Sequence, residues 1–220
     1  MQQTLLEGGL DPSARRELDF YETFRWQVGA LLRRVHFTPT MRLVEPCAGN
    51  HAITLVLQEQ GLAIWSNDIV RREQPLDSQL DAADPEMWRF IAQKWDRIDI
   101  AVTNMPFRDA FRIIPVAFEH VRLGLITLLR STWDEPVEDK ATRADKDEWL
   151  ARHDHLIEQI AMPRADYRGT GSSESATHHW FLMVKDRSFL RGFGSPGWRT
   201  VTRRERDELI AQYGKGAHPV

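Results

Sequence analysis

Short apolar runs recur along this chain between segments of helical period, and that alternation constrains its fold more than any other feature. Strand-type runs lie near 42–46, 62–67 and 98–102 and at Leu123-Gly124-Leu125-Ile126-Thr127-Leu128-Leu129. Phe24, Val28, Leu31, Leu32 and Val35 fall at helical spacing, in a helix that Thr38-Pro39-Thr40 ends. A second helix runs from about Asn50 to Gln60 and stops at Gly61. Asp84-Pro85 supplies an N-cap and a first-turn proline for a third, through Trp88, Ile91 and Trp95. A fourth, from about Asp109 to Val121, is interrupted by Pro115. Strands alternating with helices predict an α/β fold, with a mostly parallel sheet covered on both faces.

In such a sheet ligands bind at the carboxyl ends of the strands. Three polar residues stand at those ends: Glu45, Asp68 and Asn104. The first leads into Glu45-Pro46-Cys47-Ala48-Gly49-Asn50-His51, a small-residue turn opening a helix, where Gly49 permits close approach and helix N–H groups favour anionic ligand atoms. With one glycine it is not the dinucleotide fingerprint. Asp68, in Asn67-Asp68-Ile69, is placed to take two ribose hydroxyls. Asn104-Met105-Pro106-Phe107 closes the third run. There the Asn104 side-chain carbonyl and the Met105 backbone carbonyl form a cradle for a planar amino group, with Phe107 to stack on the ring that bears it. Asn-X-Pro also marks an ordinary turn after a strand.

These three motifs together resemble the class I S-adenosylmethionine-dependent methyltransferases, in particular the phage-type DNA adenine-N6 enzymes. Asp19-Phe20-Tyr21-Glu22-Thr23, ahead of an amphipathic helix, resembles their N-terminal cofactor motif. The likeness runs from about Asp19 to Lys185. It implies a Rossmann-like sheet ending in an antiparallel hairpin and S-adenosylmethionine as cofactor. Phe20, Tyr21, Thr23, Glu45, Pro46, Ala48, Gly49, Asn50, Asp68, Ile69 and Asp84 would hold that cofactor, while Asn104, Met105, Pro106 and Phe107 would form the catalytic motif. Asp84 is read equally well as the N-cap of its helix. Two positions depart from the family: His51 stands where a glycine is usual, and Met105 where a proline is usual. A protein glutamine N5-methyltransferase, which uses a similar Asn-Pro-Pro motif, and a catalytically silent cofactor-binding protein are the competing readings.

Charge and composition bear on the substrate. The formal charge of −3 sits less comfortably with DNA than a basic surface would, although Arg15-Arg16, Arg33-Arg34, Arg71-Arg72 and Arg203-Arg204 offer local basic clusters. Length and a 42% hydrophobic content suit a single domain over 1–220. Residues 134–155 form a charged insertion outside the core, and 187–220 a C-terminal loop and short helix that Thr202-Arg203-Arg204-Glu205 caps. The apolar runs at 156–162 and 179–184 are expected to pair as an antiparallel hairpin at the sheet edge. Arg168, Gly169 and Ser172, in the loop between them, are candidate substrate contacts, or a hairpin tip and nothing more. Cys47 reads as a packed small residue, not a nucleophile. His178-His179 lacks partners at metal-ligand spacing, so no metal is expected. With no signal peptide and no bilayer-spanning run, a cytoplasmic location is expected.

Overall fold

The computed structural model describes residues 23–71, 74–135, 144–153, 156–165, 177–190 and 198–215. In chain order the elements are α1 (Arg25–Leu32), β1 (Leu43–Glu45), α2 (Ala52–Glu59), β2 (Ile64–Ser66), α3 (Pro85–Trp95), β3 (Ile100–Thr103), α4 (Ala110–His120) and β4 (Gly124–Arg130). They continue as α5 (Ala144–His153), β5 (Ile157–Ala161), β6 (His178–Val184), a 3-10 turn (Arg187–Phe189), β7 (Trp198–Thr200) and α6 (Arg203–Tyr213). Among the described residues, seven strands form one sheet in the order β2-β1-β3-β4-β6-β5-β7. Only β6 runs against its neighbours.

Side-chain alternation divides the core into two layers. Leu43, Ile100, Val102, Ile126, Leu128, Trp180 and Leu182 pack on one face with α1, α2 and Leu209 of α6. Val44, Ala101, Leu125, Leu129, Phe181 and Met183 pack on the other with Trp88 and Ile91 of α3 and Ile113 and Ile114 of α4. Because both faces are covered, the central strands read as continuous apolar runs.

The helix boundaries follow local chemistry. Asp84 accepts the Glu86 N–H at 2.9 Å and Pro85 occupies the first turn, so the expected cap of α3 forms. Gly61, at φ +73°, ends α2: its N–H bonds Gln58 O at 2.9 Å and the Leu62 N–H bonds Leu57 O at 3.2 Å. Thr202 Oγ1 accepts the Glu205 N–H at 3.2 Å, as the capping signal required. Helix α4 passes through Pro115 without breaking. One intrahelical bond is lost there, against burial of Ile113, Ile114, Ala117 and Phe118.

Four expectations need correction. Helix α1 is not amphipathic: every residue from Arg25 to Leu31 is buried, because α6 covers the side that would otherwise meet solvent. Within 187–220, the described residues supply a strand and a helix packed on α1, and so more than a loop and short helix. The antiparallel pair β5–β6 forms, but β7 lies outside β5, so the pair is not the sheet edge. Within the charged insertion, α5 buries Leu150, and Trp149 packs edge-on against Phe118 at 5.7 Å, so part of it joins the core.

Contacts between α1 and α6 are close. Arg25 Nε donates to Tyr213 O at 2.9 Å, and Arg34 grips Glu205 through two bonds of 2.8 and 3.1 Å, which lowers the Glu205 carboxyl pKa. A Cβ on Gly29 would lie 2.5 Å from Tyr213 Cδ2 and 3.1 Å from Leu209 Cδ2. Gly29→Ala should thus lower stability by about 1–3 kcal/mol through overpacking, although alanine is the better helix former. Urea unfolding of the variant beside the parent checks this, and a rise in midpoint would mean that α6 yields.

Candidate functional site

Parallel pairing brings the three polar strand ends together. Glu45 pairs with Ser66 across β1 and β2, Val44 with Ala101 across β1 and β3, and Thr103 with Thr127 across β3 and β4. Glu45, Asp68 and Asn104 therefore open on one edge of the sheet, with Arg130 at the end of β4 and His178 opposite it at the start of β6.

The turn after β1 is built by cross-links from its neighbours. Asp68 Oδ2 accepts the Gly49 N–H at 2.8 Å and its Oδ1 accepts the Val70 N–H at 2.9 Å. Gly49 needs its φ of +51° for this approach. Asn67 is fully buried and bonds four groups at once. Its Nδ2 donates to Pro46 O at 3.0 Å and Leu80 O at 2.9 Å, while its Oδ1 accepts from Ser78 Oγ at 2.8 Å and Leu80 N at 3.1 Å. Sequence reasoning passed over Asn67, whose only signal was its place before the acid. Ala48 is buried, and its N–H reaches Asn67 O at 2.8 Å.

Glu45, 2% exposed, accepts the Thr54 N–H at 2.8 Å and the Thr54 hydroxyl, so it caps the first turn of α2 from the end of β1. Burial pushes its carboxyl up from 4.5 to about 8, against the pull of the Thr54 bonds, and Asp68 adds to the rise. Burial, with Asp68 and Glu45 close by, likewise raises the Cys47 thiol well above its ordinary range. A thiol so held is no nucleophile.

The two departures from the resembled pattern have different structural settings. His51 holds φ +63° and ψ 22°, the left-handed conformation glycine adopts readily, and the residue is 5% exposed. Its Nε2 has no hydrogen-bond partner among the described residues, and burial lowers the ring's pKa. Met105 is 1% exposed and belongs to the core layer of α3 and α4. Core packing, together with the restraint from Pro106 that follows, fixes this position of the motif.

Pro106 is exposed, whereas Asn104 and Phe107 are partly buried. The Phe107 ring stacks on His178 at 5.4 Å and 28°, and the Arg130 guanidinium lies over it at 5.4 Å. Burial, with Arg130 and His179 beside it, lowers the His178 imidazole to about 4, so it is neutral at pH 7. His179 turns elsewhere, its Nδ1 2.9 Å from Gln159 Oε1. Neither Arg130 nor His178 had been read as part of this cluster.

Thr23 is buried, Ile69 is 60% exposed beside Asp68, and Asn50 is partly buried on the turn. Asp84 spends one oxygen on its N-cap bond. It also borders a cavity of about 510 Å³ between the 77–81 loop and α3, which does not reach Gly49, Asp68 or Asn104. Phe20, Tyr21, Arg168, Gly169 and Ser172 lie outside the described residues.

No family model matches the chain, and neither does any curated protein. Among solved structures, it is similar to one described as a modification subunit of a candidate type I restriction enzyme from Vibrio vulnificus YJ016, at TM-score 0.53 and 13% identity over 86% of this chain and 50% of that one. It is also similar to the type IIG restriction endonuclease BpuSI, at TM-score 0.50 and 14% identity over 91% of this chain and 28% of that one. The chain is thus a Rossmann-like α/β domain. It spans half the length of the first of these proteins and less of the second. A SAM dependent methyltransferase from Archaeoglobus fulgidus has TM-score 0.47 and 12% identity over 80% of this chain and 100% of its own.

The buried acid of this domain has a pH consequence. A carboxyl whose folded pKa is raised favours the native state most below its unfolded pKa, and that contribution is lost as pH climbs from about 4.5 through about 8. Denaturant midpoints across pH 5–8 should fall more steeply for the parent than for Glu45→Gln, which keeps the shape without the proton. Parallel curves would show that Glu45 does not hold its proton in the fold.

Proposed function

We propose that this domain transfers a methyl group from S-adenosylmethionine to an exocyclic amino group, with adenine N6 in DNA as the substrate. The observation that carries this reading is the Gly49 turn closed by Asp68, standing one strand away from the carbonyl-bearing Asn104.

The residues present fit the cofactor. Each Asp68 oxygen accepts one described N–H, so lone pairs remain for two ribose hydroxyls. Ile69 offers an exposed apolar surface for adenine, and Asp84 has an oxygen left for the adenine amine. Pro46, Ala48, Gly49 and Asn50 line the turn, Tyr21 and Thr23 are assigned to the methionine portion, and Phe20 to the cofactor without a stated part of it. When bound, the cofactor supplies an electrophilic methyl group on a sulfonium.

An exocyclic amine is a poor nucleophile because its lone pair is delocalised into the ring. Asn104 Oδ1 and the Met105 carbonyl accept its two hydrogens and favour the pyramidal geometry in which the lone pair is free. Phe107, next to Pro106, positions the ring, and such stacking is worth about 1–3 kcal/mol per base. Extruding the base costs a few kcal/mol in a duplex and less in a single strand. The nitrogen's extra proton then leaves to solvent. The two similar structures are described as a modification subunit of a restriction enzyme and a restriction endonuclease, which supports DNA as the acceptor.

Labelled cofactor incubated with adenine-containing DNA, followed by digestion and nucleoside mass measurement, tests activity and identifies the base together. Asn104→Ala should lower transfer by about 10²-fold or more while cofactor binding persists, as expected when a group aligned with the reacting atom is removed. Undiminished methylation in that variant would refute the mechanism. Transfer only to a protein glutamine would replace the substrate, and cofactor binding without any acceptor would leave a binding protein.

A further inference from the structure

Arg130 closes β4 directly opposite His178 and beside the strand that ends in Asn104. It is exposed, and its guanidinium lies 5.4 Å over the Phe107 ring. Several arginines are ion-paired, Arg97 and Arg122 with Asp99, Arg112 with Asp81 and Arg34 with Glu205, whereas Arg42, Arg71 and Arg203 share with Arg130 the lack of a carboxylate partner among the described residues; Arg130 is set apart by its place over the Phe107 ring. Arg130 has no carboxylate partner among the described residues. His178, buried and neutral, stacks on the same ring and gives it a rigid support without competing charge. A cation with no carboxylate partner among the described residues, held against the aromatic ring of the proposed amine-binding motif, is placed for an anion attached to the group that the ring receives.

Resting on the methyl-transfer reading above, we infer that Arg130 binds the phosphate of the nucleotide whose base is presented to Asn104. In the free protein the guanidinium covers the Phe107 ring. When the nucleotide arrives it turns to the phosphate and leaves that ring for the base. Its planar fork suits two phosphate oxygens, and a guanidinium is more readily taken from water than an ammonium. This contact gives the acidic domain a phosphate anchor at the reacting base itself. It also selects nucleic acid over a peptide glutamine, which brings no phosphate.

The test uses the whole chain and an adenine-containing oligonucleotide, with affinity measured from about 50 to 200 mM salt. Cofactor affinity is read by calorimetry and folding by thermal midpoint. Arg130→Ala should weaken oligonucleotide binding roughly tenfold and reduce the salt slope by about 1, uniformly across sequences. Cofactor affinity and thermal midpoint should not move. Arg130→Lys should keep the slope but recover only part of the methylation rate, since a lysine supplies charge without the fork. An unchanged slope and affinity in Arg130→Ala, with the parent active on DNA, would overturn the role of Arg130 alone. Loss of cofactor affinity in that variant would move the residue to the other subsite and overturn it too. A parent inert on DNA would overturn the substrate reading together with this one.

Discussion

The hydrogen bond from the Gly49 amide to Asp68 ties the ends of two adjacent strands into one surface, and the remaining site geometry is arranged around it. Asn67 secures the same junction from beneath, since its amide holds both Pro46 on the first turn and Leu80 on the loop beyond β2. Glu45 completes it from the side by capping α2 through Thr54. Each polar group is buried or half-buried, so each bond formed is worth more than its counterpart in water, and each bond lost leaves a desolvated atom. A short turn with one glycine holds its shape because the end of β2 and the first turn of α2 are fastened around it.

Most of the sheet was legible in the sequence because helix and strand signals agreed with one another. Gly61, Asp84-Pro85 and Thr202 each carry local chemistry that ends or begins a helix whatever the tertiary context. Errors arose where neighbours distant in the chain decide exposure. No periodicity within 25–32 could reveal that α6, some 180 residues later, would bury its outer face, and β7 is three residues long with no alternation to detect. Leu150 and Trp149 were hidden among charges for the same reason, one turn of α5 being recruited by Phe118.

In the site itself, residues that stand at strand ends could be read, because the crevice of a parallel sheet is defined by topology. Those that act by contact could not. Asn67 looked like a prefix to an acid, Arg130 like the last residue of a strand and His178 like half of a tandem pair. Each gains its place only when β2 lies beside β1, and β3, β4 and β6 lie in turn beside one another.

Met105 has a consequence for how this domain responds to heat. Its side chain sits in the same packed layer as α3 and α4, so the carbonyl it presents is mechanically continuous with the core. A proline would have fixed that residue's φ through its own ring. Here Pro106 restrains Met105 from the following position, and the packed layer supplies the rest. Rising temperature that loosens the packing around Ile113 and Phe118, well short of unfolding, blurs the position of the carbonyl as well. On the methyl-transfer reading, the working range of the site would then follow the softening of its core before the melting of the fold.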